Sequence, residues 1–599
     1  MTKNVYVTKV AVLACALGLA GVVPAGAADT ATESLVSVGS PVDATSRNHQ
    51  NEPALAIDAH DPDLLVAGAN DKVDQQPCPA SFVAETAKCE PDNGVGISGV
   101  YFSFDRGHTW VQPTYTGLTA RDCAGPDPCA PHVGAISRIP WYYESGLVDA
   151  GDPAVAIGPR PLHGHFSWAF GSRVYYANNT ASLRDFYDKT TPDLPGSVSI
   201  KGYQATGVSR IDNPTRERIA DQSNWMPPVV VDPRQAQTTA DDKDQIWADN
   251  AETSPYFGRV YECNNDYRSN GRGQIPSALM VSVSTDGGDT WTTQQAAAAN
   301  ENGHGVNEWG LGACVIRTDS KGTVYLFSGR EENPALAKGA PLGQIVMQRS
   351  VDGGKSWTRP RGVLQTVNSP YVDPLSGWQV IDGWTGARTG TSGSPSVDIA
   401  NGAPDGTDAT DRIIVSWANT GADAANQGAM ISSSTDRGEN WSEPQSVALP
   451  GDRPLYSAPA ISPSGDRAYV VYEAVTSPWR GSDISSPRPY HGVFMSAPIT
   501  AGIGEWSAEY DGPTGDLRAT FPGGRLREER VGDYLYAAAS RSYGVGVWID
   551  VRNATVCPAI QDWRAASLAA GTAVLPPPSP LTDCPPTFGN SDVFAATTG

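Results

Sequence analysis

SFDRGHTW, at residues 103–110, decides the fold because the chain repeats it: STDGGDTW at 284–291, SVDGGKSW at 350–357 and STDRGENW at 434–441. Four positions never change. They are Ser103, Asp105, Gly107 and Trp110 in the first copy, then Ser284, Asp286, Gly288 and Trp291. Ser350, Asp352, Gly354 and Trp357 follow, then Ser434, Asp436, Gly438 and Trp441. Recurrence at intervals the length of a propeller blade marks a repeat architecture. Physically each copy is a hairpin staple. Ser and Asp oxygens accept backbone N–H groups within the turn, Gly takes a left-handed conformation, and Trp packs over the ribbon. Such a turn holds strands together and is not itself an active site.

Around the staples, the expected fold is all-β: a propeller of four-stranded antiparallel blades, seven preferred, with six plus an N-terminal accessory segment as the alternative. Seven inner strands are expected to begin with EPALAI at Glu52, DPAVAI at Asp152, MPPVVV at Met226, GACVI at Gly312, GSPSVDI at Gly393, SAPAI at Ser457 and GDYLYAAA at Gly532. Second strands follow as LLVAGAN, SRVYYAN, GRVYECN, GTVYLFS, RIIVSWA, RAYVVYE and VGVWID. Pairing of residues 35–38 with 592–596 would close the wheel and remove its open edges. With strands alternating in direction, the staples share one face with the first-to-second-strand turns. Chemistry is then expected on the other face, whose loops hold Glu52, Asp71, Glu308, Arg330, Arg388, Arg453, Glu473, Arg480, Arg530 and Arg552.

The first 28 residues read as a secretory signal peptide: Lys3 and Lys9, an apolar run at 10–23, then the small-residue site PAGAA. Residues 29–599 are read as one propeller domain, secreted and monomeric, with no later stretch long and apolar enough to span a membrane. Cys15 leaves with the signal, and eight of the nine cysteines remain. Sequence order suggests local bridges, Cys78 with Cys89, Cys123 with Cys129, Cys263 with Cys314 and Cys557 with Cys584, among many possible pairings. A formal charge of −22 argues against nucleic acid and anionic membranes as partners. No cofactor is expected. Asp241, Asp242, Asp244 and Asp249 could hold a structural calcium, but they lack EF-hand spacing and read first as a solvated acidic loop. His49, His163, His165 and His304 read as loop histidines without ligand spacing.

The repeated octapeptide is the Asp box (BNR repeat), and the chain resembles secreted Asp-box propellers, of which the sialidases are the best known. Two stretches extend the resemblance: NEWGLGACVIRTDSKGTVYLFSGR at 307–330 and LYSAPAISPSGDRAYVVYE at 455–473. The resemblance implies an exo-α-sialidase type of glycoside hydrolase acting on a glycan with a terminal acidic sugar. It makes Tyr456 the nucleophile, Glu308 its base and Arg330 one carboxylate-binding arginine. A phenol suits a substrate whose anomeric carbon carries a carboxylate, because an incoming carboxylate would be repelled. Asp71 is the candidate general acid, with Asp152 behind it, and Arg388 and Arg552 are the candidates to complete the arginine set.

The chain departs from the family pattern at four places. Asn51-Glu52-Pro53 and Gly151-Asp152-Pro153 stand where sialidases carry Arg-Ile-Pro, and Arg138-Ile139-Pro140 falls after the first staple. Asn426 occupies the place of the third arginine. Two other readings therefore stand beside the hydrolase. One is a non-catalytic propeller that binds glycan or protein. The other is a glycosidase acting on neutral polysaccharide through two carboxylates such as Glu308 and Asp71. The terminal motifs GDY at 532–534 and DVRN at 550–553 resemble those of exported Asp-box proteins without an assigned role.

Overall fold

The computed structural model describes Met1 and residues 31–43, 45–77, 94–123, 130–186, 200, 202–232, 239–269, 274–297, 312–331, 342–375, 379–381, 396–421, 427–478, 480, 483, 485–520 and 531–599. Seven antiparallel sheets follow one another along the chain. Blade 1 is built from Gln50–Ile57, Leu65–Asp71 and Ser98–Ser103. Blade 2 comprises Ala154–Pro159, Ser172–Ser182, Ala205–Asp212 and Trp225–Val230. Blade 3 comprises Thr239–Ala248, Val260–Ser269, Gln274–Ser284 and Thr292–Ala297. In blades 4, 5 and 6 the inner strands are Gly312–Thr318, Ser396–Ile399 and Arg453–Ile461. Blade 7 opens with Tyr536–Ala539 and Gly544–Asp550, continues with Asp592–Thr597, and is completed by Thr32–Leu35 from the other end of the chain.

Each inner strand neighbours the next, and the last returns to the first, so the sheets form a seven-bladed wheel. The six-bladed alternative is thereby excluded. Closure uses a strand slightly earlier than expected: Thr32 pairs with Thr597 and Leu35 with Phe594. One inner strand was misplaced by sequence reasoning. The MPPVVV segment forms the outermost strand of blade 2, whereas the inner strand of blade 3 is TADDKDQIWA. Its acidic residues hide the apolar alternation that marks a strand. Asp241 and Asp244 are nevertheless buried within the blade, so the stretch read as a solvated loop is part of the hub.

The hydrophobic cores lie between blades. Ala156, Tyr175, Val208, Ile246 and Val260 join blades 2 and 3. Tyr261, Val281, Ile316 and Leu326 join blades 3 and 4, and Phe327, Ile345, Val397 and Trp417 join blades 4 and 5. The disulfide Cys263–Cys314 crosses the boundary between blades 3 and 4 and closes a separation of 51 residues, worth about 4 kcal/mol in the loop-entropy model. Cys557–Cys584 ties down the excursion of blade 7 that carries the helix Pro558–Ala570. Cys123 is also disulfide-bonded. Its expected partner Cys129, like Cys78, Cys89 and the proposed signal peptide, lies outside the described residues.

All four octapeptides connect third strand to outer edge and share one hydrogen-bond scheme. In the first, Ser103 Oγ accepts from Gly107 N at 2.8 Å, while Asp105 accepts from the Thr109 amide and hydroxyl. The same scheme holds at Ser284 and Asp286, at Ser350 and Asp352, and at Ser434 and Asp436. A second function of the turn was not legible in the sequence: the preceding blade grips its carbonyls. Arg173 of blade 2 donates to Gly287 O, Arg259 of blade 3 to Gly353 O, and Arg349 of blade 4 to Arg437 O. At the closure, Ser34 donates to Gly107 O and accepts from Trp110 Nε1. The staples are therefore clamps between blades as well as within them.

Opposed sets of carboxyl groups make stability depend on pH. Hydrogen bonds from Ser356, and from the Asn440 amide and side chain, hold Asp352 and Asp436 down to about 2. This contribution is complete above the ordinary carboxylate range and is lost as pH falls through 2. Burial acts the other way on Glu473, raised to about 8, and on Glu262 and Asp249, each raised to about 7. Their contribution is complete below about pH 4 and is lost as pH rises through 7 to 8. The melting temperature, followed by circular dichroism from pH 2 to 8, is expected to rise from pH 8 to about 5 and to fall again below about 4. The Asp352→Asn variant should melt below the wild type at pH 7, with the difference closing toward pH 2.

Candidate functional site

The inner strands enter the hub through a recurring irregularity. Glu52 in blade 1, Asp152 in blade 2, Lys243 in blade 3 and Ala313 in blade 4 occupy equivalent entry positions with φ of 54°, 52°, 59° and 47°. The pairing register slips there in blades 1, 3 and 4, between Asn51 and Ala54, Asp242 and Gln245, and Gly312 and Val315. A bulge of this kind re-aims a side chain that regular pleating would send into a blade interface. Left-handed backbone at a residue other than glycine costs on the order of 1–3 kcal/mol and persists where its surroundings enforce it.

Three of these side chains form the centre of one cluster at the loop-side mouth of the channel. Lys243 Nζ lies 3.4 Å from Asp152 Oδ2, 3.1 Å from Asp533 and 3.8 Å from Asp242 Oδ1. Because Asp533 belongs to blade 7, the ammonium reaches across the wheel. It also stands 5.8 Å from the ring centre of Tyr534, which packs edge-on against Tyr536. Asn70 knits blades 1 and 2, donating to Glu52 Oε2 at 2.8 Å and accepting from the Asp152 amide at 2.8 Å. Gly532 is required here: at φ 75° a Cβ would fall 2.2 Å from Glu52 Cγ. The GDY motif thus supplies a glycine for clearance, a carboxylate for Lys243 and an aromatic wall.

Burial opposes the charged form of Lys243, yet Asp152, Asp242, Asp533 and Glu52 together hold its pKa well above the usual lysine value. Burial raises Asp152 to about 7 even though Lys243 favours its ionised form. Asp244, next along the strand, is pushed far up by burial and by Asp152 and Glu262. One ammonium thus faces several carboxyl groups, and the mouth is acidic. Among the described residues no group of three or more His, Cys, Asp or Glu side chains is arranged to hold a metal ion.

Of the residues singled out from the resemblance, Tyr456, Asp71, Arg330 and Arg552 are described. Tyr456 stands at the entry of the inner strand of blade 6, buried and paired across the ladder with Glu473. Glu308, Arg388 and Arg530 lie outside the described residues, as do His304 and Asn426. Asp71 closes the second strand of blade 1, fully buried. Its carboxylate accepts from Tyr101 Oη at 2.6 Å, Gln112 Nε2 at 2.7 Å, Gln50 Nε2 at 3.0 Å and the Val73 amide at 3.0 Å. Arg552 turns away from the axis, bonding Glu33 on the outermost strand of blade 7 and Asp550, with its guanidinium 4.2 Å from the Phe594 ring centre. Arg330 ends the second strand of blade 4, opposite Gln344. Arg453 is buried and donates to Ile381 O and Ser477 O. Arg138, in the Arg-Ile-Pro triplet, is buried between Asp74 and Asp149. His49, read as a loop histidine, is buried with Nδ1 2.9 Å from Ser591 Oγ.

The hub residues Lys243, Asp533 and Tyr534 escaped sequence reasoning as a site. Glu52 was expected on the chemistry-bearing face and Asp152 as the reserve general acid, but neither was expected to meet a lysine. The available signal was the set of short polar motifs, NEP, GDP, DDKD and GDY, each standing just before or within an inner strand.

No protein-family model matches the chain, and no characterised protein matches it by sequence. Solved structures do resemble its architecture. A Hadza microbial sialidase, Hz136, is 15% identical with a TM-score of 0.37, over 71% of this chain and 63% of that one. The phage phi92 endosialidase is 9% identical with a TM-score of 0.39, over 95% of this chain and 69% of its own. The BP39L lectin of Burkholderia pseudomallei is 12% identical with a TM-score of 0.36, over 77% and 98% respectively. The chain spans less than two thirds of the Hz136 sialidase. The seven-bladed propeller itself is read from the order and contacts of the chain's own sheets.

Replacing Lys243 by Met would leave its carboxylate neighbours without a buried countercharge. Urea unfolding should show a loss of about 3–5 kcal/mol at pH 8, smaller at pH 5 where the carboxyl groups can take protons. Ala313→Gly, which relieves the same backbone strain where no charge is present, should instead stabilise by about 1 kcal/mol.

Proposed function

We propose that this protein is an exported glycan-binding propeller that uses the loop-side mouth of its channel to take neutral or basic sugars. The observation that carries this reading is the Lys243 cluster: a hub where Asp152, Asp242, Asp533 and Glu52 outnumber one ammonium. Such a mouth repels a sugar carboxylate and offers acceptors to hydroxyl and ammonium groups, while Tyr534 supplies an aromatic wall. Three arginines that could have offset the acids, Arg138, Arg453 and Arg552, are engaged elsewhere. Export is supported by the disulfides Cys263–Cys314 and Cys557–Cys584, which persist in oxidising compartments. No helix among the described residues is long and apolar enough to cross a membrane.

The second reading is an exo-α-sialidase with Tyr456 as nucleophile, Glu308 as base, Asp71 as acid and Arg330, Arg388 and Arg552 on the substrate carboxylate. It is favoured by the place of Tyr456 at the entry of an inner strand, opposite Glu473 across the ladder.

One experiment separates the two. The purified mature protein is offered a fluorogenic sialoside at pH 5 and, in parallel, a glycan array of neutral, amino and sialylated sugars. Retention of neutral or amino glycans without sialoside release is expected, with at least a tenfold loss of affinity in Asp242→Asn. Release of the fluorophore that vanishes in Tyr456→Phe would replace this reading by the second.

A further inference from the structure

At the opposite, staple-side mouth the channel widens into a cavity of about 150 Å³ open to solvent, with walls drawn from all seven inner strands or the turns that follow them. Most of its lining is apolar, including Ile57, Ile157, Ile399 and Ile461. One cation lines it from blade 4. Arg317, only 9% exposed, lies with its guanidinium carbon 4.7 Å from the ring centre of Trp247. Its Nη1 donates back to Ile316 O at 2.8 Å, and its buried Nε has no hydrogen-bond partner.

The nearest carboxylate does not satisfy that guanidinium. Asp398 Oδ1 is 4.0 Å from Nε, beyond hydrogen-bond reach, and accepts instead from the Ile399 amide at 2.9 Å. Asp398 Oδ2 accepts from the Ile461 amide at 2.9 Å. Thus Asp398 balances the charge of Arg317 at a distance without capping its N–H groups. A buried donor left unpaired keeps the cost of its lost hydration, and a guanidinium edge matches a carboxylate in two parallel hydrogen bonds. Trp247 fixes the plane of the fork from one side.

We infer that this cavity is a second ligand site, for a small monocarboxylic acid with an apolar body, its carboxylate on the free edge of Arg317 and its body against the isoleucine wall. The site is separate from the loop-side mouth. It requires neither Lys243 nor Tyr456, so its failure and the failure of the glycan reading are distinguishable.

Benzoate serves as the probe and benzamide, its uncharged counterpart, as the control, with binding to the intact mature protein read by saturation-transfer NMR and titration calorimetry. Benzoate is expected to bind at least tenfold more tightly than benzamide. Arg317→Gln should remove that preference, and Asp398→Asn, which deletes the competing anion while leaving Arg317 in place, should tighten benzoate. Equal binding of the two probes to the wild type overturns the inference, as does unchanged benzoate affinity in a folded Arg317→Gln variant. Should Arg317→Gln fail to fold, the Asp398→Asn variant decides: benzoate binding no tighter than in the wild type overturns the inference as well.

Discussion

A blade buries its two faces only against its neighbours, so no part of this molecule is complete until the ring is. The interaction on which everything else depends is the pairing of Thr32–Leu35 with Asp592–Thr597, which joins the two ends of the chain within blade 7. Without it, blades 1 and 7 would each expose a hydrophobic face and an unpaired edge. The contacts made there resemble those at the other boundaries. Ser34 meets the first staple as arginines meet the others, and Tyr510 of blade 6 donates to Glu33, which also receives Arg552. Closure also brings Asp533 and Tyr534 opposite Lys243, so the loop-side site exists only in the closed wheel.

Charge is sorted by face. On the staple side, Arg173, Arg259 and Arg349 lie in blade boundaries, directed at the carbonyl oxygens of the next blade's turn. At the loop-side hub, carboxylates accumulate around a single lysine. The excess of acidic residues in the composition is therefore not spread evenly over a solvated surface. Part of it is buried at the axis, where its repulsion is contained by Lys243 and by protonation. An electrostatic focus of this kind selects ligands by sign before any hydrogen bond forms.

The propeller was legible because its determinants are local. Ser, Asp, Gly and Trp at fixed spacing make the same turn wherever they occur, since the hydrogen bonds of Ser103 or Asp352 close within four residues. The second strands were legible for a related reason: apolar runs such as RVYYAN and TVYLFS are buried on both faces. Blade 3 resisted because its inner strand, TADDKDQIWA, buries carboxyl groups where a strand ordinarily buries aliphatic side chains. The resemblance directed attention to Tyr456, Asp71 and Arg552. It gave no indication that Asp71 would be saturated by Tyr101, Gln50 and Gln112, or that Arg552 would be held by Glu33, more than five hundred residues away in the chain.

By itself the sequence determined the repeat, the all-β class, the staple turns and the second strand of every blade, because each follows from neighbours in sequence; it suggested the bridges Cys263–Cys314 and Cys557–Cys584, which the tertiary structure then selected among many possible pairings. Only the tertiary structure decided which polar residues meet at the hub. Glu52, Asp152, Lys243 and Asp533 are separated by roughly a hundred residues or more, and their meeting depends on ring closure and, for Glu52 and Lys243, on bulges that re-aim the side chain. A left-handed lysine is written in no local pattern, since it is enforced by the packing of the blades around it.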